Sequence, residues 1–267
     1  MESRTRFILV GVLIKKGAMI MMIGKNILLT GTTVILFLMP LIYLFVWRSK
    51  THAHWKALFI GAAGFIVSAR VLELIVHYFC IVSDNLVSRA INGSTPLYVL
   101  YGIAMAGIFE EVGRWVILSI LNKKINQRKD AIMYGIGHGG IEVWTVTLPV
   151  VLTYLMVIAS NGSGLPSEMV NALMPSIEAF GFGMSLCFVL ERIFCMGIHI
   201  ALTVMVFYGV QNHEKKYLLK AVVCHMLLDV LPALYQRNVV GLIPTEVYLG
   251  ACCVILCIFA HKLYKNL

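Results

Sequence analysis

Charge is what this sequence has least of. Only 13% of its 267 residues are Asp, Glu, Lys or Arg, against about 25% in a soluble globular chain. Sixty per cent are hydrophobic, and the mean hydropathy is +0.86. That leaves too little polar surface to clothe a fold in water. A soluble domain, a disordered tail, a collagen and a soluble nucleic-acid binder are excluded. No internal repeat or low-complexity tract is visible. The same shortage of polar surface removes a secreted disulfide scaffold, and the seven cysteines form no C-x-x-C pair, so they suggest no zinc site. Cys252, Cys253 and Cys257 sit inside an apolar run and read as reduced packing residues.

What is present is a series of long apolar runs. Only helices and closed barrels satisfy backbone groups in lipid, and runs of this length favour helices. The chain therefore reads as an all-α polytopic membrane protein. About seven transmembrane helices are predicted at 27–47, 56–80, 97–121, 131–159, 183–210, 217–236 and 245–263, with a buried polar site in the bundle core. The predicted organisation is one transmembrane domain over 27–267, preceded by an apolar, basic segment over 1–26. Lys15 and Lys16 interrupt the apolar stretch of that segment. It reads as part of a longer first helix, an interfacial segment or an extension upstream of a later start. It has no small-residue cleavage site of the signal-peptide kind.

The net charge of +9 is explained by loops rather than by nucleic acid. Alternate connections and the tail hold Arg48, Lys50, Lys56, Lys123, Lys124, Arg128, Lys129, Lys215, Lys216, Lys220, Lys262 and Lys265; the others hold only Arg89 and Arg237. Basic residues mark the cytoplasmic side. The expectation is a multi-pass cell-membrane protein with a cytoplasmic C-terminus. The basic residues Arg4, Arg6, Lys15, Lys16 and Lys25 pull against the outward N-terminus that seven spans require.

The informative residues are the ionisable ones within the spans. Each charge in hydrocarbon costs about 2.5–3.5 kcal/mol on the lenient insertion scale. Yet the spans hold Glu73, Glu110, Glu111, Glu142, Glu191 and Asp229, with His77, His138, His199 and His225, and Arg70, Arg114 and Arg192. Counted from the cytoplasmic ends, Glu110, His138, Glu142, His199, His225 and Asp229 lie about 12–20 Å deep at 1.5 Å per residue. Four helices thus contribute to one layer, as a common site requires.

Spacing within helices supports this. Glu110 and Glu111 stand four and three residues before Arg114; Glu142 and Asp229 stand four after His138 and His225. All are one-face spacings. Glu111 with Arg114 reads first as a structural ion pair, which leaves Glu110 as a candidate base. His138 and His225 read as functional, each with an acid one turn on. His199 has no such acid on its own helix, and Thr203 is its neighbour there. Glu142 has three readings: it orients His138, binds metal or pairs with a base. Asp229 reads as orienting His225. Gly135, Gly137, Gly139 and Gly140 around His138 permit close helix approach or local unwinding. Arg70, Glu73 and His77 read as polar glue or as the lining of an access path. Glu191 and Arg192 read as snorkelling to the outer surface.

The strings "FEEVGRW", "YGIGHGGIE", "ERIFCMGIHIAL" and "CHMLLDV" resemble the YhfC family of membrane peptidases, within the superfamily of type II CAAX prenyl endopeptidases and bacteriocin-processing proteins. The resemblance implies an intramembrane endopeptidase acting on a membrane-associated protein or peptide in the lipid bilayer. It matches Glu110 and Glu111 to the paired glutamates, Arg114 to the following basic residue, His138 to the second-motif histidine, and His225 and Asp229 to the last motif. It implies that a glutamate and His138 activate water while His225 and Asp229 support the water or the oxyanion. Prenyl endopeptidases have three residues between the glutamate pair and the arginine; this chain has two, so which glutamate is the base stays open. Asp229 stands where they have asparagine, which makes a zinc ion plausible, with His138, His225, Glu142 and His199 as candidate ligands. Two other readings remain: a non-catalytic scaffold on the same fold, and a proton-coupled transporter. The second is disfavoured by the lack of an inverted repeat and by acids that form a layer rather than a file.

Overall fold

The computed structural model describes residues 2–122, 124–160 and 162–267, the side chains of 2–21 excepted. The backbone of the predicted N-terminal segment is thus described from residue 2, as the start of a long first helix, and its side chains up to residue 21 are outside the described set. Among those residues there are nine helices and no strand. They are α1 (Glu2–Thr51), α2 (Trp55–Val82), α3 (Leu86–Gly93), α4 (Thr95–Ile120) and α5 (Arg128–Ala159). Then come α6 (Ser167–Ala179), α7 (Phe182–Gln211), α8 (Lys216–Gln236) and α9 (Leu242–Lys265).

Among the described residues, six helices (α1 from Met22 to Thr51, α2, α5, α7, α8 and α9) are long and apolar enough to cross a membrane. Helix α4 has 26 residues, about 39 Å at the standard rise. It falls short on composition because Glu110, Glu111 and Arg114 dilute its hydropathy. Each of the seven predicted spans lies on one of these seven helices. Large aliphatic side chains such as Ile120, Val82 and Val247 are exposed on the outside, as lipid contact requires. Charged residues such as Glu111 and Arg114 are buried.

The two short helices occupy connections that read as loops. Helix α3 starts at a capping box: Asn85 accepts from the backbone N–H groups of Val87 and Ser88, and the Asn85 N–H donates to the Ser88 hydroxyl. Reciprocal capping satisfies N–H groups that a helix start leaves orphaned.

Three stretches are wound as π-helix: Ile66–Glu73, Tyr78–Val82 and Val143–Thr147. The last directly precedes Leu148 and Pro149. Proline lacks an N–H and its ring crowds the carbonyl four residues back, here that of Thr145. The loosened turn relieves that crowding. The glycine-rich stretch before it stays helical through Glu142, so the glycines pack rather than unwind.

The chain divides into two compact units, residues 1–38 with 144–189 and residues 39–143 with 190–267. Within the first, Thr32 Oγ1 and Ser185 Oγ lie 2.6 Å apart, Lys25 Nζ donates to the Ile177 carbonyl at 3.0 Å, and Phe37 stacks on Trp144.

The second unit holds every candidate site residue. There α2 and α5 pack backbone to backbone. A Cβ on Gly137 would lie 2.0 Å from the Leu58 carbonyl oxygen, and one on Gly61 would lie 2.1 Å from that of Tyr134. Gly135 meets α7, where a Cβ would lie 2.7 Å from the Ile200 Cα. The lower ends are clamped by Asp130, which accepts from the His54 backbone N–H at 2.9 Å and contacts the His54 ring at 2.9 Å. These contacts fix the register at which α5 presents His138.

Close approach at Gly137 leaves no room for a methyl group, and overpacking costs about 1–3 kcal/mol. Gly137→Ala is therefore expected to lower the melting temperature in detergent clearly. Gly102→Ala, with nothing within 4 Å of the added carbon, is expected to leave it unchanged or raise it. Differential scanning fluorimetry on the two variants checks this.

Candidate metal and hydrolytic site

Four helices bring their polar side chains into one interior. From α4 come Glu110, Glu111 and Arg114; from α5, His138 and Glu142; from α7, Arg192, Cys195 and His199; from α8, His225 and Asp229. Glu110, Glu111, Arg114, His138, Arg192, His199 and His225 are buried, and Glu142, Cys195 and Asp229 are half-buried.

The two adjacent glutamates have different surroundings. Glu111 is fully committed. Arg114 Nη1 donates to its Oε1 and Oε2 at 2.7 and 2.6 Å, and His225 Nδ1 donates to Oε1 at 2.8 Å. This is the ion pair that the i,i+3 spacing predicts. Arg114 Nη2 then donates to His199 Nδ1 at 3.1 Å, which ties α4 to α7. The far nitrogen of His225, Nε2, lies 3.5 Å from Asp229 Oδ2. Asp229 itself occupies a one-residue break in α8.

Glu110 is held by one contact, its Oε2 lying 3.0 Å from His138 Nε2, with His199 Nδ1 at 3.8 Å from the same oxygen. The His138 ring packs against Phe65 at 5.1 Å and against the His199 ring at 4.9 Å between centroids. The glycines on either side of His138 admit these neighbours.

Glu142 turns to α7. Its Oε2 lies 2.5 Å from His199 Nε2, and its Oε1 accepts from Arg192 Nη1 at 3.1 Å. The Cys195 thiol lies 3.3 Å from both carboxylate oxygens. Glu142 therefore contacts His199, although sequence spacing pairs it with His138. His199, whose own helix offers no acid one turn away, obtains one from α5. Thr203 donates only to the His199 carbonyl.

Arginine can only donate, so His199 Nδ1 is the acceptor and Nε2 carries the hydrogen that goes to Glu142. A carboxylate on one imidazole nitrogen is how metal-bound histidines are oriented, and the Nδ1 lone pair, which accepts from Arg114 here, would pass to a cation.

Three of these residues fit a metal ion. One ligand atom each from Glu110, His138 and His199 lie within 4.8 Å of one another. The 3.0 and 3.8 Å separations from Glu110 Oε2 bracket the ligand–ligand edge of about 3.3 Å implied by tetrahedral zinc with bonds near 2.0–2.1 Å. His138 Nδ1 is buried without a hydrogen-bond partner, so this ring keeps polar capacity that no protein group uses. The donor set, one carboxylate and two imidazoles, matches the three-ligand zinc sites that leave a position open.

His225 and Asp229 lie on the Glu111 side of the layer: His225 hydrogen-bonds Glu111 and packs its ring edge-on against His199 at 5.8 Å between centroids, so it touches the triad without belonging to the group within 4.8 Å. Arg192 departs from its expected role. It does not snorkel outward, because Glu142 and Glu191 both pair with it inside the bundle, and burial makes such partners obligatory. Glu73 pairs with His77 at 3.2 Å, and His77 contacts the Tyr101 hydroxyl at 2.7 Å, as expected of polar glue. Cys195 was legible only as one of seven cysteines. The signal that would have found it is its i,i+4 spacing to His199.

The chain has relatives. A family model described as YhfC intramembrane metalloprotease matches residues 35–249. The curated protein described as uncharacterized membrane protein YhfC, from Bacillus subtilis (strain 168), is 35% identical over 217 residues, covering 77% of this chain and 83% of the relative. No solved structure matches.

Removing one partner of a buried ion pair leaves an uncompensated charge, at about 3–5 kcal/mol. Arg114→Ala is expected to destabilise by that amount in detergent denaturation. The double change Glu111→Gln with Arg114→Met, which removes both charges, is expected to recover much of the loss.

Proposed function

We propose that this chain, which belongs to the YhfC intramembrane metalloprotease family, hydrolyses a peptide bond of a membrane-associated protein or peptide at the Glu110–His138–His199 group. The observation that carries this reading is the shared geometry of a carboxylate and two imidazoles buried within 4.8 Å. They stand beside a second carboxylate, Glu111, already neutralised by Arg114 and His225.

The division of labour follows from the contacts. One oxygen of Glu110 meets His138, and the other is left to accept a proton from water; positioned carboxylates in such a role contribute about 100- to 10,000-fold. His138, His199 and Glu110 would hold a zinc-class cation. When bound, such an ion polarises a carbonyl and lowers the pKa of water toward neutrality. Glu142 keeps the His199 lone pair turned inward by taking the hydrogen of its other nitrogen. Arg114 and Glu111 brace α4 and set the place of Glu110. His225 is held firmly through Nδ1 and loosely through Nε2, so its second N–H is available to the oxyanion or the leaving amine, with Asp229 steering the ring.

The burial of Glu110, His138 and His199 lowers the local dielectric, which strengthens each of these interactions. The orientation that fits is a cytoplasmic C-terminus, on the strength of the loop lysines and arginines. The layer then lies in the cytoplasmic half of the bilayer.

The test is cleavage of a peptide library by purified protein in proteoliposomes. Glu110→Gln and His138→Ala are expected to lower cleavage at least about 100-fold while leaving the melting temperature near that of the wild type. A strong chelator is expected to abolish cleavage, and added zinc to restore it. Undiminished cleavage by both variants would refute the assignment, and ion flux without proteolysis would favour a transporter.

A further inference from the structure

His199 faces two donor sets. Its Nδ1 points to Glu110 and Arg114, and its Nε2 points to Glu142. On the Nε2 side a ligand atom each of Glu142, Cys195 and His199 also lie within 4.8 Å of one another. Cys195 and His199 are one helical turn apart on α7, so a thiol and an imidazole share a face. Glu142 reaches them from α5, with both carboxylate oxygens 3.3 Å from the thiol. This set differs from the first in kind, because it contains sulfur. Thiolate ligands select zinc, cadmium and other thiophilic cations over magnesium or calcium.

We infer that Glu142, Cys195 and His199 form a second metal site, specific for thiophilic divalent cations, that competes with the first set for His199. Without a cation there, the interactions are hydrogen bonds: Cys195 and His199 donate to Glu142, and Arg192 neutralises its other oxygen. Arg192 is itself shared with Glu191, so it can lean to that partner when a cation takes over at Glu142. Binding releases the thiol proton to solvent, and the imidazole hydrogen shifts from Nε2 to Nδ1. Nδ1 then carries an N–H, which neither accepts from Arg114 nor ligates a cation beside Glu110 and His138. Filling the thiolate site thereby empties the first set of one ligand. An excess of a thiophilic metal becomes inhibitory through a residue, Cys195, that the proposed hydrolysis does not use.

The competition rests on the reading of Glu110, His138 and His199 as the first set; binding at the thiolate site does not. The experiment is titration of the purified full chain with Co²⁺, followed by near-ultraviolet absorption, with cadmium inhibition of cleavage measured in parallel. A thiolate-to-cobalt charge-transfer band is expected in wild type and in Glu110→Gln, and is expected to vanish in Cys195→Ser. Cys195→Ser is also expected to cleave at the wild-type rate and to need at least tenfold more cadmium for half-inhibition. A band that survives in Cys195→Ser, or that is absent from both wild type and Glu110→Gln, would overturn the inference. Cobalt bound without any such band, in an active protease, would sink this site and leave the first intact. The band without proteolysis would do the reverse.

Discussion

A carboxylate buried inside a bundle of membrane helices must be matched by positive charge and hydrogen bonds, and the arrangement of this bundle follows from how Glu111 is matched. Arg114 closes on it within α4, and His225 closes on it from α8. The remaining arm of Arg114 reaches His199 on α7. Three helices are thereby held at one height by a single neutralised charge. The pairing also separates two neighbouring glutamates into different roles. Both oxygens of Glu111 accept hydrogen bonds, so in the proposed reading Glu110, one residue away and a hundred degrees around the helix, is the carboxylate left for chemistry.

The second constraint is backbone proximity. Gly61 against Tyr134 and Gly137 against Leu58 bring α2 and α5 closer than any side chain permits, and without water-driven association such small-residue contacts are a main source of helix pairing in lipid. That approach places His138 beside Phe65 and His199. His199 then touches both members of the His138/Glu142 pair on α5. It packs on His138 and hydrogen-bonds Glu142, so these two do not close on each other.

Much of this was legible in the sequence because apolar length and intramembrane charge are strong signals. Every predicted span corresponds to a long helix, and the residues placed at one depth by counting meet in space. The Glu111–Arg114 pair was readable because both partners lie on one helix. Contacts between helices were not readable. Nothing in the local string around His199 shows that Glu142 supplies its carboxylate, and nothing around Arg192 shows that it turns inward. Spacing reports neighbours on one helix face, whereas facing partners depend on rotation and register that only packing decides. The π-helical turn before Pro149 and the capped helix after Asn85 are local features. The proline marks the first as a place where helical winding breaks, though not as a π-turn, and the brevity of the segment hid the second.

The central claim is that Glu110, His138 and His199 hold a cation as one buried centre. Zinc retained after dialysis by purified Cys195→Ser protein tests it most directly, because that background removes the thiolate from the neighbouring set. The account predicts about one zinc per chain, lost when His138→Ala is added to a protein that remains folded. Equal zinc in both proteins, or none in either, would contradict it.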